Sequence, residues 1–204
     1  MSKKRLTREE SKRETRNKLL HVATKTFLEK GFYGASIDEI AEEAGFSKGA
    51  VYSNFGSKED LFIAVFSERL QKDIQSIKTI YQQQTSLLKY MEVLEESYHK
   101  ELKENKAWGA LMLEFLIYAL REESARKKLA PILQKSRKQS EEILKHFENK
   151  EESNFPLSPE KLSFLILALD VGTSILHFVS EEDVPKHIVV DGLKQLLKLD
   201  SETN

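Results

Sequence analysis

The side chains that carry enzymatic chemistry are sparse and poorly spaced in this chain. Its five histidines (His21, His99, His146, His177 and His187) include no pair at metal-ligand spacing on a helix, and neither a Ser/His/Asp arrangement nor a phosphate-cradling glycine loop is present. Cysteine is absent, which excludes disulfides, thiolate nucleophiles and thiol redox sensing. No catalytic residue, metal site or cofactor is expected, and the chain does not read as an enzyme. What remains is a short polar segment, Lys48 to Asn54, behind the hydroxyl of Ser47. A segment of that kind does recognition chemistry: a major groove admits a short exposed helix with its N-terminal residues toward the base edges.

The elements that must hold this segment are punctuated by caps and glycines. Thr7-Arg8-Glu9-Glu10 opens a first helix whose Leu19, Leu20, Ala23, Phe27 and Leu28 share one face, and Gly31 stops it. Ser36-Ile37-Asp38-Glu39 repeats the cap and opens a two-turn helix carrying Ile37, Ile40, Ala41 and Ala44 inward, ended by Gly45. Ser47 caps a third helix from Lys48 to about Asn54, closed by Gly56, and Ser57-Lys58-Glu59-Asp60 caps a much longer one. The turn Gly45-Phe46-Ser47 is too short for a side-by-side antiparallel pair, so the two short helices cross steeply and the second projects. Phe46, Val51, Phe55 and Leu61 are core positions. This is the layout of a helix-turn-helix.

The residues Phe27-Leu28-Glu29-Lys30-Gly31-Phe32, Ser36-Ile37-Asp38-Glu39-Ile40-Ala41, Ala44-Gly45-Phe46-Ser47-Lys48-Gly49 and Tyr52-Ser53-Asn54-Phe55, with Lys58-Glu59-Asp60-Leu61, resemble the N-terminal domain of the TetR family of transcriptional regulators. The resemblance covers roughly residues 12 to 65 and implies an all-α fold and DNA binding. It further implies that Ser36 and Lys58, at helix starts, hold phosphates. Ser47, Lys48, Gly49 and Ala50 would open the recognition helix, Lys48 reaching a guanine edge or a phosphate and Ala50 a thymine methyl. Tyr52 would lie against the backbone, and Ser53 and Asn54 would complete the exposed face, Asn54 as a partner for adenine. Many relatives place His or Tyr where Asn54 stands, and Thr where Ala35 stands, so one phosphate-binding hydroxyl is missing.

Charge is unevenly spread. The whole chain is balanced at −1, yet residues 1 to 25 hold nine Lys or Arg against three Glu. An arm from Ser2 to Arg5 either reaches the minor groove or phosphates, or is a charged terminus that keeps the protein soluble. With 204 residues and four prolines, the chain has room for two helical domains, expected at 1–57 for DNA binding and 58–204 for effector binding and dimerisation. No uninterrupted apolar run reaches the roughly 20 residues of a bilayer span, so a cytoplasmic protein without a membrane partner is expected. The one linker-like stretch is Asn149 to Ser158.

Beyond Lys58 the expected helices are Lys58 to about Tyr81, Thr85 to Leu102, Lys106 to Arg121, Ser124 to Lys150, Pro159 to Ser180 and Pro185 to Leu199, nine in all. The helix from Lys58 is long enough to act as a lever, and Pro131 should kink or split the Ser124 segment. Ala107 to Leu120 is apolar on nearly every face and carries one charge, Glu114, which finds a partner, faces a wet cavity, or binds something. Asp170 and His177 raise the same alternatives of a satisfied hydrogen bond or a ligand contact. An effector pocket lined by Tyr98, Trp108, Met112, Phe115, Tyr118 and Phe164, with Glu114, Asp170 and His177 as polar groups, would suit a small, mostly apolar molecule.

Leu162, Leu165, Ile166 and Leu169, with Val189, Leu193, Leu196 and Leu197, offer more apolar surface than a small domain can bury, and Gly172 allows close helix approach. They are expected to form a four-helix homodimer interface, presenting two recognition helices to a near-palindromic double-stranded operator. The expected activity is repression relieved by the effector. Activation, or a helical partner-binding dimer without DNA affinity, stands as the alternative.

Overall fold

The computed structural model describes residues 7–151 and 154–199, apart from the side chains at positions 99, 101, 102 and 181. The basic arm from Ser2 to Arg5, and positions 152 and 153 of the linker-like stretch, lie outside the described residues. Among those described there are nine α-helices and one 3-10 turn: α1 Arg8–Gly34, α2 Ile37–Glu43, α3 Lys48–Phe55, α4 Lys58–Gln83, α5 Leu87–Glu104, α6 Lys106–Arg121, α7 Glu123–Lys150, α8 Pro159–Val179, a 3-10 turn Glu181–Asp183, and α9 Ile188–Leu197. The all-α class follows the sequence reading.

The helices divide into two compact units. The first comprises residues up to Arg69 together with Leu111–Leu129, and the second comprises Leu70–Ala110 and the chain from Ala130 onward. Helix α4 contributes its first half to one unit and its second half to the other; α6 and α7 are likewise shared.

The first unit is built around an aromatic cluster. Phe62 stacks on Phe115 with centroids 4.2 Å apart, and Phe32 meets Phe62 and Phe115 edge-on at 5.3 and 5.1 Å. Phe27, Leu19, Ile40, Val51 and Leu61 are buried around them, from four different helices. Edge-to-face and offset contacts of this kind favour one arrangement of the rings beyond the area they bury. Phe46 is only half-buried, while Val51, Phe55 and Leu61 are core as expected.

Caps fix where the helices begin and end. Thr7 accepts the Glu10 amide while Glu10 reaches back to the Thr7 amide, a complete capping box. Ser36 accepts the Glu39 amide, but the Glu39 carboxylate pairs with Lys30 and does not reach back. At the end of α2 the Phe46 amide bonds the Ala41 carbonyl and the Gly45 amide bonds Glu42, with Gly45 at φ 74°, a Schellman turn. Gly31 takes φ 73°, ψ 175° and breaks α1, after which one further turn runs to Gly34.

Two details of the later helices differ from expectation. Of the kink or split expected at Pro131, the split is not found, and α7 runs through it as one helix. The carbonyl released by the missing amide belongs to Lys127, on an exposed stretch of the helix that solvent can reach. Helix α9 begins at Ile188 and not at Pro185, because His187 adopts a left-handed backbone (φ 66°) and its imidazole is tied to Glu95 of α5.

The second unit packs Leu87, Tyr90, Met91, Ile143, Leu144, Phe147, Leu162, Val190, Leu193 and Leu197 into one core. Helix α8 is long and apolar enough, by length and composition, to cross a membrane. Asp170, His177 and Ser163 interrupt its sequence, so no unbroken apolar run exists even though the average is high. Phe164, Leu165, Leu169, Ile175, Leu176 and Val179 lie exposed along one side of it.

Candidate nucleic-acid interface and effector cavity

Helix α3 is held by its apolar side and open on the other. Val51 and Phe55 anchor it, while Gly49, Tyr52 and Ser53 are exposed, Tyr52 at 45%. Ser47 accepts the Ala50 amide at 3.2 Å and so fixes the helix start. No atom but the Ser47 hydroxyl lies within 4 Å of a Cβ added at Gly49, so the N-terminal turn presents bare backbone. At the other end Arg16 of α1 donates to the Asn54 carbonyl at 2.8 Å and lies 4.2 Å over the Phe55 ring. A cation bonded to a terminal carbonyl complements the negative end of the helix dipole.

Five of the side chains assigned to DNA, Ser36, Lys48, Ser53, Asn54 and Lys58, already have partners within the protein. Lys48 pairs with Asp38 of α2 at 2.8 Å, and that hydrogen bond raises its pKa; both groups are exposed. Asn54 corrects the expectation of an adenine contact. Its amide folds back to the Ala50 carbonyl at 2.8 Å, and its Oδ1 is buried without a partner, so it does not face outward. Ser53 likewise donates to the Ala50 carbonyl, at 3.0 Å, though its hydroxyl stays exposed. Lys58 lies 4.9 Å over Phe32 and donates to the Tyr33 carbonyl at 3.4 Å, half-buried, with burial lowering its pKa. Ser36 spends its acceptor on the Glu39 amide and keeps its hydroxyl proton free to donate.

Glu114 is not a cavity residue. Its two oxygens accept from the Phe32 and Tyr33 amides, each at 2.9 Å, directly after the break at Gly31. Of the alternatives that the sequence left open, the partner is the one found. Phe115 is fully buried in the aromatic cluster of the first unit, where it fills core, and it is not among the residues lining the second unit's cavity. Tyr118 belongs to the same unit and donates to Glu59 at 2.9 Å; burial and that hydrogen bond push its phenol up to about 12. Met112, half-buried, lies in the first unit too.

The second unit holds a cavity of about 300 Å³ between α4, α5, α7, α8 and the start of α9. Tyr98, Asp170 and His177 line it, as the sequence suggested. Trp108 and Phe164 do not; Phe164 is 56% exposed with Arg137 stacked 4.5 Å over it. Tyr98 hydrogen-bonds Ser174 at 2.6 Å. The Asp170 carboxylate is open to the cavity space yet crowded by apolar walls, and that desolvation pushes it up to about 6. Glu95 and His187, which the sequence reading missed, join it here from elements 92 residues apart. No local pattern signals such a pairing.

The interface expected on α8 and α9 is partly redistributed. Leu162, Leu193 and Leu197 are buried in the second unit's core, with Leu196 packed against it, and Ile166 and Val189 line the cavity. Alternation around α9 turns its leucines inward, so its apolar stripe is already covered. Leu165, Leu169 and Gly172 do lie on the outer side of α8, where a Cβ at Gly172 meets nothing within 4 Å.

A capped α3 set across a glycine turn from α2 defines a helix-turn-helix. Comparison with known proteins carries this further. Residues 19–65 match the sequence profile of bacterial regulatory proteins, tetR family. The chain is 35% identical over 65 residues to the HTH-type transcriptional activator FasR of Mycolicibacterium smegmatis, covering 32% of this chain and 30% of that protein. It is 39% identical over 54 residues to the HTH-type transcriptional repressor AcnR of Corynebacterium glutamicum, covering 26% of this chain and 29% of the other. The matched segment thus spans about a third of these curated relatives. The fatty acid degradation regulator FadR from Bacillus halodurans shares the fold, with a TM-score of 0.70 at 19% identity over 98% of this chain and 100% of that one. The match to the tetR family thus rests on residues 19–65, which hold α2, α3 and the first turns of α4, and the remainder of the chain is alike in fold.

Proposed function

We propose that this protein is a cytoplasmic, homodimeric transcriptional repressor that occupies a near-palindromic operator and leaves it when a small, mostly apolar effector enters the second unit's cavity. The observation that carries the DNA-binding part is α3 itself: capped by Ser47, anchored by Val51 and Phe55, and bare at Gly49, Tyr52 and Ser53. A dimer built on the outer side of α8 would bring two such helices to successive major grooves, about 34 Å apart. Whether occupancy represses or activates depends on where the operator lies relative to the promoter, and relatives of both kinds exist.

Release would run through α4. Its first half buries Leu61, Phe62 and Val65 in the first unit, and Ile77, Ile80 and Tyr81 of its second half pack on the second unit's core. An effector that displaces the second half would change the spacing at which a dimer presents α3. A coupling of about 1 to 3 kcal/mol would weaken operator binding roughly 5- to 150-fold. The test is selection of bound sequences from random duplex DNA with the full chain. Recovery of a two-fold symmetric site supports the proposal, and recovery of no consensus overturns it.

A further inference from the structure

We propose that the cavity of the second unit takes a lipophilic cation, with the Asp170 carboxylate as the partner of its charged head. This rests on reading the cavity as the effector site.

The walls supply the apolar part of the recognition. Ile77, Met91, Leu94, Ile143, Ile166 and Val190 surround a space of about 300 Å³, the size for a chain or ring system of modest length. The charged groups lining it have one sign: Glu95 and Asp170 are present, and no lysine or arginine is among the described lining residues. The two carboxylates are not equivalent. Glu95 is tied to His187, whereas no hydrogen bond or ion pair holds Asp170 among the described residues. A carboxylate that lines an apolar cavity without a partner is the group that a cation entering the space would pair with. The Tyr90 and Tyr98 side chains face the same space and add ring faces, which attract a desolvated cation and do nothing for an anion. An anionic head would instead meet two carboxylates. His177 and His187 also line the space, His187 in contact with Glu95.

The test uses the full chain with decyltrimethylammonium and decyl sulfate, both below their micellar range, by titration calorimetry at pH 7.5. Their tails are identical, so the difference in affinity reports the head. The ammonium is expected to bind roughly tenfold tighter or more. Asp170→Asn, which keeps the shape and removes the charge, should bring the two within about threefold. Glu95→Gln should leave most of the preference intact, and thermal melting confirms that each variant is folded. Equal binding, preference for the sulfate, binding of neither, or a preference that survives Asp170→Asn overturns the inference. The regulatory reading is tested apart, by adding the ammonium to the protein on its selected operator. Charge-selective binding without release of DNA would leave the cation site standing and remove the effector role.

Discussion

The Glu114 carboxylate occupies the place that a side chain on Gly31 would need. A Cβ built on Gly31 would stand 2.5 Å from Glu114 Oε2, and the same carboxylate holds the two amides freed by the glycine's left-handed turn. The break in α1 and the one charge inside apolar α6 are therefore two halves of one device. Gly31 turns the Phe32 and Tyr33 amides away from their helical acceptors, and Glu114 supplies replacement acceptors of greater strength.

Removing either half should be costly. Glu114→Ala forfeits two charge-assisted hydrogen bonds and is expected to destabilise the fold by roughly 2 to 4 kcal/mol in urea unfolding. Gly31→Ala forces a backbone conformation open essentially to glycine alone and should cost about 2 kcal/mol or more. Because part of that cost is collision with Glu114, the double variant should be less destabilised than the sum by about 1 kcal/mol. Strict additivity would show that the two positions do not interact.

The Lys48–Asp38 pair makes a prediction about DNA. The Asp38 carboxylate is exposed beside the face assigned to phosphates and holds the Lys48 ammonium. Lys48→Ala should lower operator affinity and reduce the dependence of log affinity on log salt by about one. Asp38→Asn frees the lysine and removes a negative charge, so affinity at low salt should rise about fivefold, equivalent to about 1 kcal/mol. Gel shifts over a salt series decide the matter. An unchanged slope in the lysine variant would remove Lys48 from the contact face.

The outer side of α8 predicts the assembly. Leu165, Leu169, Leu176 and Val179 expose a continuous apolar strip, with Val179 at 80%. Placing a charge in it, Leu176→Glu, should give a folded monomer in sedimentation experiments, because a carboxylate cannot be buried unpaired at a symmetric contact. Operator affinity should fall with it. A variant that remains dimeric would place the interface elsewhere.

What the sequence disclosed, and what it hid, follows from distance along the chain. Ser47 and Gly45 are legible because a cap or a left-handed turn is specified within a few residues, and these fix α2 and α3 to within a position. Asn54 reads from sequence as a base contact, but its amide has a partner four residues back, on its own helix, which competes with any base. Phe115 and Tyr118 read as pocket residues because helical spacing cannot tell which neighbour covers an aromatic residue. On α8, apolar residues surround the helix, so Leu162 and Leu165 looked alike though one is fully buried and the other is not. Glu95 and His187 meet from 92 residues apart, and nothing local to either marks the other.

Asp170 yields a prediction about pH. Its carboxyl is held near 6 in the fold, by desolvation, against an ordinary value of 3.8. The folded state therefore keeps the proton more tightly than the unfolded chain does. Its contribution to stability is complete below about pH 4, is lost as the pH rises through about 6, and is constant thereafter. Glu95, Tyr90, Tyr98, His177 and His187 face the same space, so the comparison must be between the protein and its Asp170→Asn variant. An asparagine there is never charged. The variant should melt higher than the protein at pH 8 and at nearly the same temperature at pH 4. Thermal unfolding at the two pH values measures this, and a difference independent of pH would show that the carboxylate carries no desolvation strain for a ligand to relieve.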